Sequence, residues 1–234
     1  MSQSKPKLTL SGDIGPNPLK VALVLHELGL EYETVNVDTT KNEQKSPEFL
    51  KLNPNGRVPV LVDHNNNDFT IWESGAILLY LIEKYDPEHK LSVEDPEEHS
   101  QLLQWLFFQN SGQGPYFGQA MWFLRYHHER VPSAIERYQK EILRVFGVLD
   151  NVLSKQEWLV GGKMTIADLA FLPWNYAAIY RGGLDQFEGG VDVEKQFPAF
   201  YEWHFKLAAR PYAAEFLKQR QAVRAAARAQ GQTQ

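Results

Sequence analysis

Three short stretches in the first third of the chain combine residue types that could hold a small charged peptide. Gly15-Pro-Asn-Pro18 stands where a helix would begin. Asn is a favoured helix cap and Pro is favoured at the first helical position, so the stretch reads first as punctuation. The same helix start would offer free N–H groups and a positive dipole end to a thiolate, and the Asn17 carboxamide could add a hydrogen bond. Val58-Pro59 precedes a strand-like run. The proline is either ordinary strand-edge punctuation or a cis peptide, and a cis bond would turn the Val58 N–H and C=O outward to pair with an extended peptide. Glu73-Ser74 opens a helical run. Ser74 could simply cap it, or the pair could take an amino-acid head group: Glu73 the ammonium, Ser74 and the helix start the carboxylate. Gln44, Lys45 and Arg57 could hold a second carboxylate at the far end of such a peptide, though each taken singly reads first as solvated surface.

Other chemistries find little support. The chain contains no cysteine, so disulfides, thiolate metal sites and a cysteine nucleophile of its own are excluded. The seven histidines show no metal-ligand spacing. Nothing like a serine nucleophile elbow is visible. A net charge of −5 argues against nucleic acid, whose phosphates need clustered Lys and Arg. No apolar run approaches the roughly 18–20 residues of a membrane span, and Met1 to Lys7 has no apolar signal region. The expectation is a soluble, cytoplasmic protein without metal, nucleic-acid or membrane partners.

These stretches need elements to carry them. Over the first 85 residues strand and helix patterns alternate. Leu8 to Leu10 and Tyr32 to Val37 read as strands with a helix from Val21 to Leu28 between them, ended at Gly29. A short helix over Pro47 to Leu52 follows. Strands at Val58 to Val62 and Phe69 to Trp72 flank a His64–Asp68 loop, and a helix runs from Ser74 to Tyr85. This order predicts a small mixed α/β sheet covered by helices. Asp86 to Glu98 is polar, carries two prolines and breaks the periodicity, so it reads as a linker. Beyond it the pattern is helical: Ile135, Tyr138, Ile142, Val145, Leu149 and Val152 recur at three- and four-residue steps. Thr165 and Asp168 form a capping pair at the start of another helix, and the tail from Ala213 continues helical, fraying near Gly231. The domain expectation is 1–87, a linker over 88–98, and an all-α domain over 99–234. The aromatic stretch around Trp105, Phe108, Tyr116 and Trp122 must be mostly core, but some of these rings could wall an apolar pocket facing the first domain.

The constellation resembles the cytosolic glutathione transferase superfamily over essentially its full length. The resemblance rests on Asn53-Pro-Asn-Gly-Arg-Val-Pro59, Trp72-Glu-Ser-Gly-Ala-Ile-Leu-Leu-Tyr80 and Thr165-Ile-Ala-Asp168, in the family's order and spacing. Gly15-Pro-Asn-Pro-Leu-Lys20, Trp105-Leu-Phe-Phe-Gln109, Gly112-Gln-Gly-Pro115, Ala134-Ile-Glu-Arg-Tyr138 and Ala167-Asp-Leu-Ala-Phe-Leu-Pro-Trp174 narrow it to the nu-class-like and fungal nitrogen-regulator-like branch. The chain carries no Asn/Gln-rich N-terminal segment like that of the regulator. The short Ser154–Gly162 connection leaves no room for the regulator's helical-domain insertion. The resemblance implies a thioredoxin-like domain, an all-α C-terminal domain, a homodimer and glutathione as cosubstrate. It implies Glu73 and Ser74 for the γ-glutamyl head group, Val58 and Pro59 for the cysteinyl backbone, and Gln44 and Arg57, with Lys45, near the glycyl carboxylate. It places Asn17 at the sulfur and Arg137 as an arginine reaching across the dimer. Phe108, Tyr116, Trp122 and Trp174 are the expected hydrophobic-substrate pocket. No Tyr, Ser or Cys activator is evident, and Gly15 replaces a Thr found in some nu-class members. The implied activity is glutathione-dependent disulfide reduction with modest conjugating or peroxidase activity. The alternatives are a non-catalytic glutathione-binding or regulatory module and a ligandin for apolar small molecules.

Overall fold

The computed structural model describes residues 7–12, 15–180, 183–184, 187 and 189–229. Its first half is a sheet with helices packed on it. The strands are β1 (Leu8–Ser11), β2 (Glu33–Val35), β3 (Val60–Asp63) and β4 (Phe69–Trp72), and the helices are α1 (Pro16–Glu27), α2 (Pro47–Leu52) and α3 (Ser74–Tyr85). The sheet order is β2-β1-β3-β4. β1 pairs parallel to β2, with Leu10 opposite Thr34, and antiparallel to β3, with Leu10 opposite Leu61. β3 and β4 form an antiparallel hairpin with Val60 opposite Trp72. The parallel pair needs a crossover, which α1 supplies.

The second half is helical among the described residues. α4 (Pro96–Phe108) runs through one wide π-type turn, Gln109–Gln113, into α5 (Gly114–Arg125). Then come α6 (Pro132–Leu153), α7 (Ile166–Tyr180), α8 (Val193–Gln196), α9 (Pro198–Ala208) and α10 (Pro211–Ala229).

α1 binds the halves together. Val21 to Leu25 are all buried, because α3 packs on one side of this helix and α7 on the other. A helix apolar all round is a buried helix, and the run Val21-Ala-Leu-Val-Leu25 has that character. α7 is buried in the same way from Ile166 to Pro173. One hydrophobic core therefore runs from Leu8 and Leu61 in the sheet to Phe171 and Trp203 in the helices. At the end of α1, Glu27 accepts two hydrogen bonds from the Arg210 guanidinium, 2.9 and 2.5 Å, which ties α1 to the start of α10. The start of α7 is fixed by Asp168, whose carboxylate accepts from the Thr165 N–H, the Thr165 hydroxyl, the Leu159 N–H and the Trp203 indole. The Ala167 N–H in turn donates to the Thr165 hydroxyl, so the predicted capping pair is present and extended.

Some boundaries differ from those read in the sequence. α1 starts at Pro16 rather than Val21, since Pro16 and Pro18 both lie in the first turn, where a missing N–H leaves no bond unmade. α4 starts at Pro96, inside the expected linker. Pro96 is a first-turn residue rather than a breaker, and the Asp95 carboxylate caps the Glu97 and Glu98 N–H groups. β2 is three residues long where Tyr32 to Val37 predicted more. The expected fraying near Gly231 lies outside the described residues.

Candidate active site

The start of α1 presents Asn17 inside the helix rather than at its cap. The capping position is Gly15, at φ 117°, and among the described residues no side chain caps the helix. The capping role read for Asn17 is thus wrong, and its side chain is spent elsewhere. The Trp174 indole Nε1 donates to Asn17 Oδ1 at 3.0 Å. An indole nitrogen can only donate, so the atom facing it is the amide oxygen and the Asn17 NH2 points the other way. A side chain of α7 thereby fixes which end of the amide is offered beside the α1 N-terminus.

The second stretch lies where the end of β1 meets the approach to β3. Gly12, at φ +97°, packs so closely that a Cβ there would stand 2.7 Å from the Val58 Cβ. The Val58–Pro59 peptide is cis. Pairing in β3 begins at Val60, so the Val58 backbone groups stand outside the ladder. The preceding turn is built by buried Asn53, whose Nδ2 donates to the Arg57 carbonyl at 2.7 Å while its Oδ1 accepts from the Asn55 N–H at 2.9 Å. Lys45 donates to the Asn55 carbonyl at 2.9 Å. Gln44 and Lys45 both press on Gly56, and the buried Gln44 Oε1 has no partner among the described residues. Arg57 is exposed on the same turn. Gln44, Lys45, Arg57 and Val58 are therefore neighbours.

The third stretch carries backbone strain. Glu73 adopts φ 70° and ψ 113°, a region a glutamate enters at a cost of about 1–3 kcal/mol and one that clusters at ligand sites. Its side chain is exposed while Ser74 is buried. Ser74 is the first helical residue and its side chain does not cap. Instead Ser74 Oγ accepts from Lys20 Nζ at 3.3 Å, and the same ammonium donates to Gln109 Oε1 at 2.5 Å. Burial pushes Lys20 down from 10.5 to about 7, against the pull of the Glu73 carboxylate. From Gln109 the chain of bonds continues to Gln113 Oε1 at 2.9 Å, and from Gln113 Nε2 to Asn175 Oδ1 at 2.7 Å.

Lys20, Gln109, Gln113 and Asn175 received no role from the sequence. A lone lysine in the run Leu19-Lys-Val-Ala-Leu23 and two glutamines four apart in an aromatic segment were the available signals. Their meaning depends on α1, α3, α4 and α7 meeting.

The remaining candidates lie in the helical half. Arg137 is exposed on α6, which packs on α5 and α9 rather than on the sheet. Of the four predicted pocket rings, Trp174 is hydrogen-bonded to a site residue, Asn17. Phe108 packs with Trp105 and Phe171. Tyr116 and Trp122 belong to another ring cluster, joined through Tyr138, Phe123 and His127. Among the described residues no group of three or more His, Asp or Glu could hold a metal ion, and no helix is long and apolar enough to cross a membrane. Among the described residues buried His204 has no hydrogen-bond partner for either ring nitrogen, and burial pushes it down to about 4. It stacks with Phe200 as a core ring.

Comparison with known proteins gives this geometry a context. Residues 6–83 match the family described as glutathione S-transferase, N-terminal domain, and residues 115–211 match its C-terminal domain. Glutathione S-transferase 1 of Schizosaccharomyces pombe is 55% identical over 203 residues, 84% of this chain and 89% of that protein. The transcriptional regulator URE2 of Saccharomyces cerevisiae is 38% identical over 238 residues, 87% of this chain and 65% of that protein. Among solved structures, the glutathione transferase URE2P5 of Phanerochaete chrysosporium superposes with a TM-score of 0.89 at 53% identity, over 95% of this chain and 98% of that one. URE2P8 of the same organism, solved with oxidized glutathione, superposes with a TM-score of 0.87 at 50% identity, over 96% and 99%.

Proposed function

We propose that this chain, which belongs to the glutathione S-transferase family, binds glutathione in an extended form along the three stretches and ionises its thiol without a protein base. Glu73 takes the γ-glutamyl ammonium, and Ser74 with the α3 N-terminus takes the adjoining carboxylate. The Val58 backbone pairs with the cysteinyl unit, next to Pro59. Gln44, Lys45 and Arg57 face the glycyl carboxylate. The sulfur then lies at the α1 N-terminus within reach of the Asn17 NH2. Hydrogen bonding and the positive helix end favour the thiolate and lower the thiol pKa.

The observation that carries this reading is the Trp174–Asn17 bond. A free carboxamide is ambiguous, since either end can face a ligand. A tethered one is a committed donor, and a thiolate is an acceptor only.

The reaction favoured is reduction of a disulfide. The bound thiolate attacks one sulfur of the substrate disulfide, forming a mixed disulfide and expelling the other sulfur as a thiolate, which takes up a proton. A second glutathione thiolate then attacks the glutathione sulfur of that mixed disulfide, releasing the remaining thiol and oxidised glutathione. The chain has no cysteine, so every sulfur in this sequence belongs to a substrate. Attack on an electrophilic carbon or a peroxide uses the same thiolate.

The Arg137 and aromatic-pocket assignments stay with this reading as proposals. Trp174 has the strongest support, because it contacts Asn17. A homodimer is supported by apolar side chains left outside the core, Phe69 and Trp72 on edge strand β4 and Phe107 on α4. A cytoplasmic setting suits an enzyme that depends on a reduced glutathione pool.

The test is an assay of purified protein with glutathione against a small disulfide, an organic peroxide and an aryl halide. Disulfide turnover exceeding the other two supports the reading. Saturable glutathione binding with no turnover of any substrate would replace it with a non-catalytic binding module. Retention of apolar ligands without glutathione binding would leave only a ligandin.

A further inference from the structure

Lys20 is the least expected residue near the site. A lysine this deeply buried normally pairs with a carboxylate, because an isolated ammonium is costly to remove from water. Lys20 is 1% exposed, yet both of its hydrogen-bond partners, the Ser74 hydroxyl and the Gln109 amide, are neutral. Among the described residues it has no ion pair, and the opposing charge that acts on it, Glu73, sits on an exposed side chain.

Two features show what this arrangement favours. An ammonium has donors only, so Ser74 Oγ must act as its acceptor, and the single Ser74 O–H proton must point elsewhere. The amide chain is also polar in one sense. Gln109 turns its oxygen to Lys20 and its NH2 to Gln113 Oε1, and Gln113 turns its NH2 to Asn175 Oδ1. Such a head-to-tail chain polarises toward the ammonium and favours the charged lysine. The π-type turn at Gln109–Gln113 brings both glutamines inward, and turns of this kind are frequent at functional sites. Close contact between α3 and this turn is secured at Gly75, where a Cβ would stand 2.1 Å from Asn110 Nδ2.

We propose that Lys20 is a positioning residue for the γ-glutamyl carboxylate: its ammonium locks the Ser74 hydroxyl as a donor toward that carboxylate and supplies the buried positive charge behind it. The proposal rests on the glutathione reading above and deepens it. The ligand's carboxylate supplies the negative charge that the protein does not place beside Lys20. The ammonium acts through Ser74 and does not touch the ligand.

The test compares two peptides by calorimetry at slightly acidic pH. One is S-methylglutathione. The other is S-methyl-(4-aminobutanoyl)-Cys-Gly, which keeps the ammonium and lacks only the γ-glutamyl carboxylate. The wild-type protein should prefer the first by about tenfold or more, since hydrogen bonds to charged groups are worth roughly 1.5–3 kcal/mol. Lys20→Met should weaken S-methylglutathione by about tenfold or more and the decarboxylated peptide by less than about twofold. A purely structural lysine would weaken both peptides equally. Equal loss, or no loss for S-methylglutathione, overturns the proposal while leaving the glutathione reading intact. A wild-type protein that binds neither peptide overturns both. If Lys20→Met does not unfold cooperatively, Gln109→Leu takes its place. It keeps the lysine but removes its amide acceptor, so a narrowed preference supports the proposal and an unchanged one overturns it.

Discussion

Replacing Trp174 by Phe removes one N–H from the protein and keeps most of the ring. That N–H is the donor holding Asn17 Oδ1 at 3.0 Å. With it present, turning the Asn17 amide over would face the indole N–H with an NH2 group, two donors without an acceptor. Without it, both amide orientations become accessible, and the sulfur no longer meets a fixed donor. The loss is that of one ordinary hydrogen bond, about 0.5–1.5 kcal/mol, or a two- to tenfold fall in turnover. Asn17→Ala removes the donor itself. A hydrogen bond to a charged group is worth roughly 1.5–3 kcal/mol, and one pKa unit corresponds to about 1.36 kcal/mol, so the bound thiol should rise by about one to two units. The sign is fixed: the donor stabilises the thiolate, so its removal raises the thiol pKa, and activity lost near neutral pH returns as pH rises. The assay is glutathione-dependent disulfide reduction across pH in wild type, both single variants and the double variant. If Trp174 acts only through Asn17, adding Trp174→Phe to Asn17→Ala should cost nothing further. Additive losses, or a pH profile unmoved by Asn17→Ala, would show that Trp174 does not act through an Asn17 donor.

Three further predictions concern how the scaffold supports this site. Glu73→Gly should leave thermal stability unchanged or raise it by about 1 kcal/mol, because glycine relieves the positive φ at some cost in unfolded-state entropy; glutathione affinity should fall all the same, and a melting curve with calorimetry checks both. Asp168→Ala strips the acceptor from four donors at the start of α7 and should destabilise by about 3 kcal/mol or more in denaturant titration, with the site lost only through unfolding. Lys20 is held near 7 in the folded protein against 10.5 ordinarily, so the unfolded chain binds this proton more tightly and ligand-free stability should rise as pH climbs through that window. Lys20→Met should flatten that rise, measured as the difference between the two stability profiles.

Much of the fold was legible because local signals agreed with the global structure. Ser74 to Tyr85, Pro47 to Leu52 and Phe69 to Trp72 occur with the boundaries their patterns implied, and Thr165 and Asp168 form the predicted cap. Where two local readings competed, the sequence could not choose. Asn17 and Ser74 both look like helix caps, yet Trp174 captures one and Lys20 the other, from positions distant in the chain. The start of α1 is masked in the sequence because its first turn is built of prolines, preceded by a glycine, residues that also punctuate loops. The buried path from Ser74 through Lys20 and Gln109 to Asn175 left almost no local trace. A lysine among apolar residues declares itself buried only once α3 and the π-type turn are seen to close over it.

The most direct measurement is a difference spectrum of the thiolate band when glutathione is added to the wild-type protein at neutral pH. No protein cysteine contributes to that band. A saturable thiolate signal that titrates well below the free thiol, and is lost in Asn17→Ala while binding persists, is the predicted result. Saturable glutathione binding with the thiol titrating as it does in water would contradict the claim that this cleft ionises it.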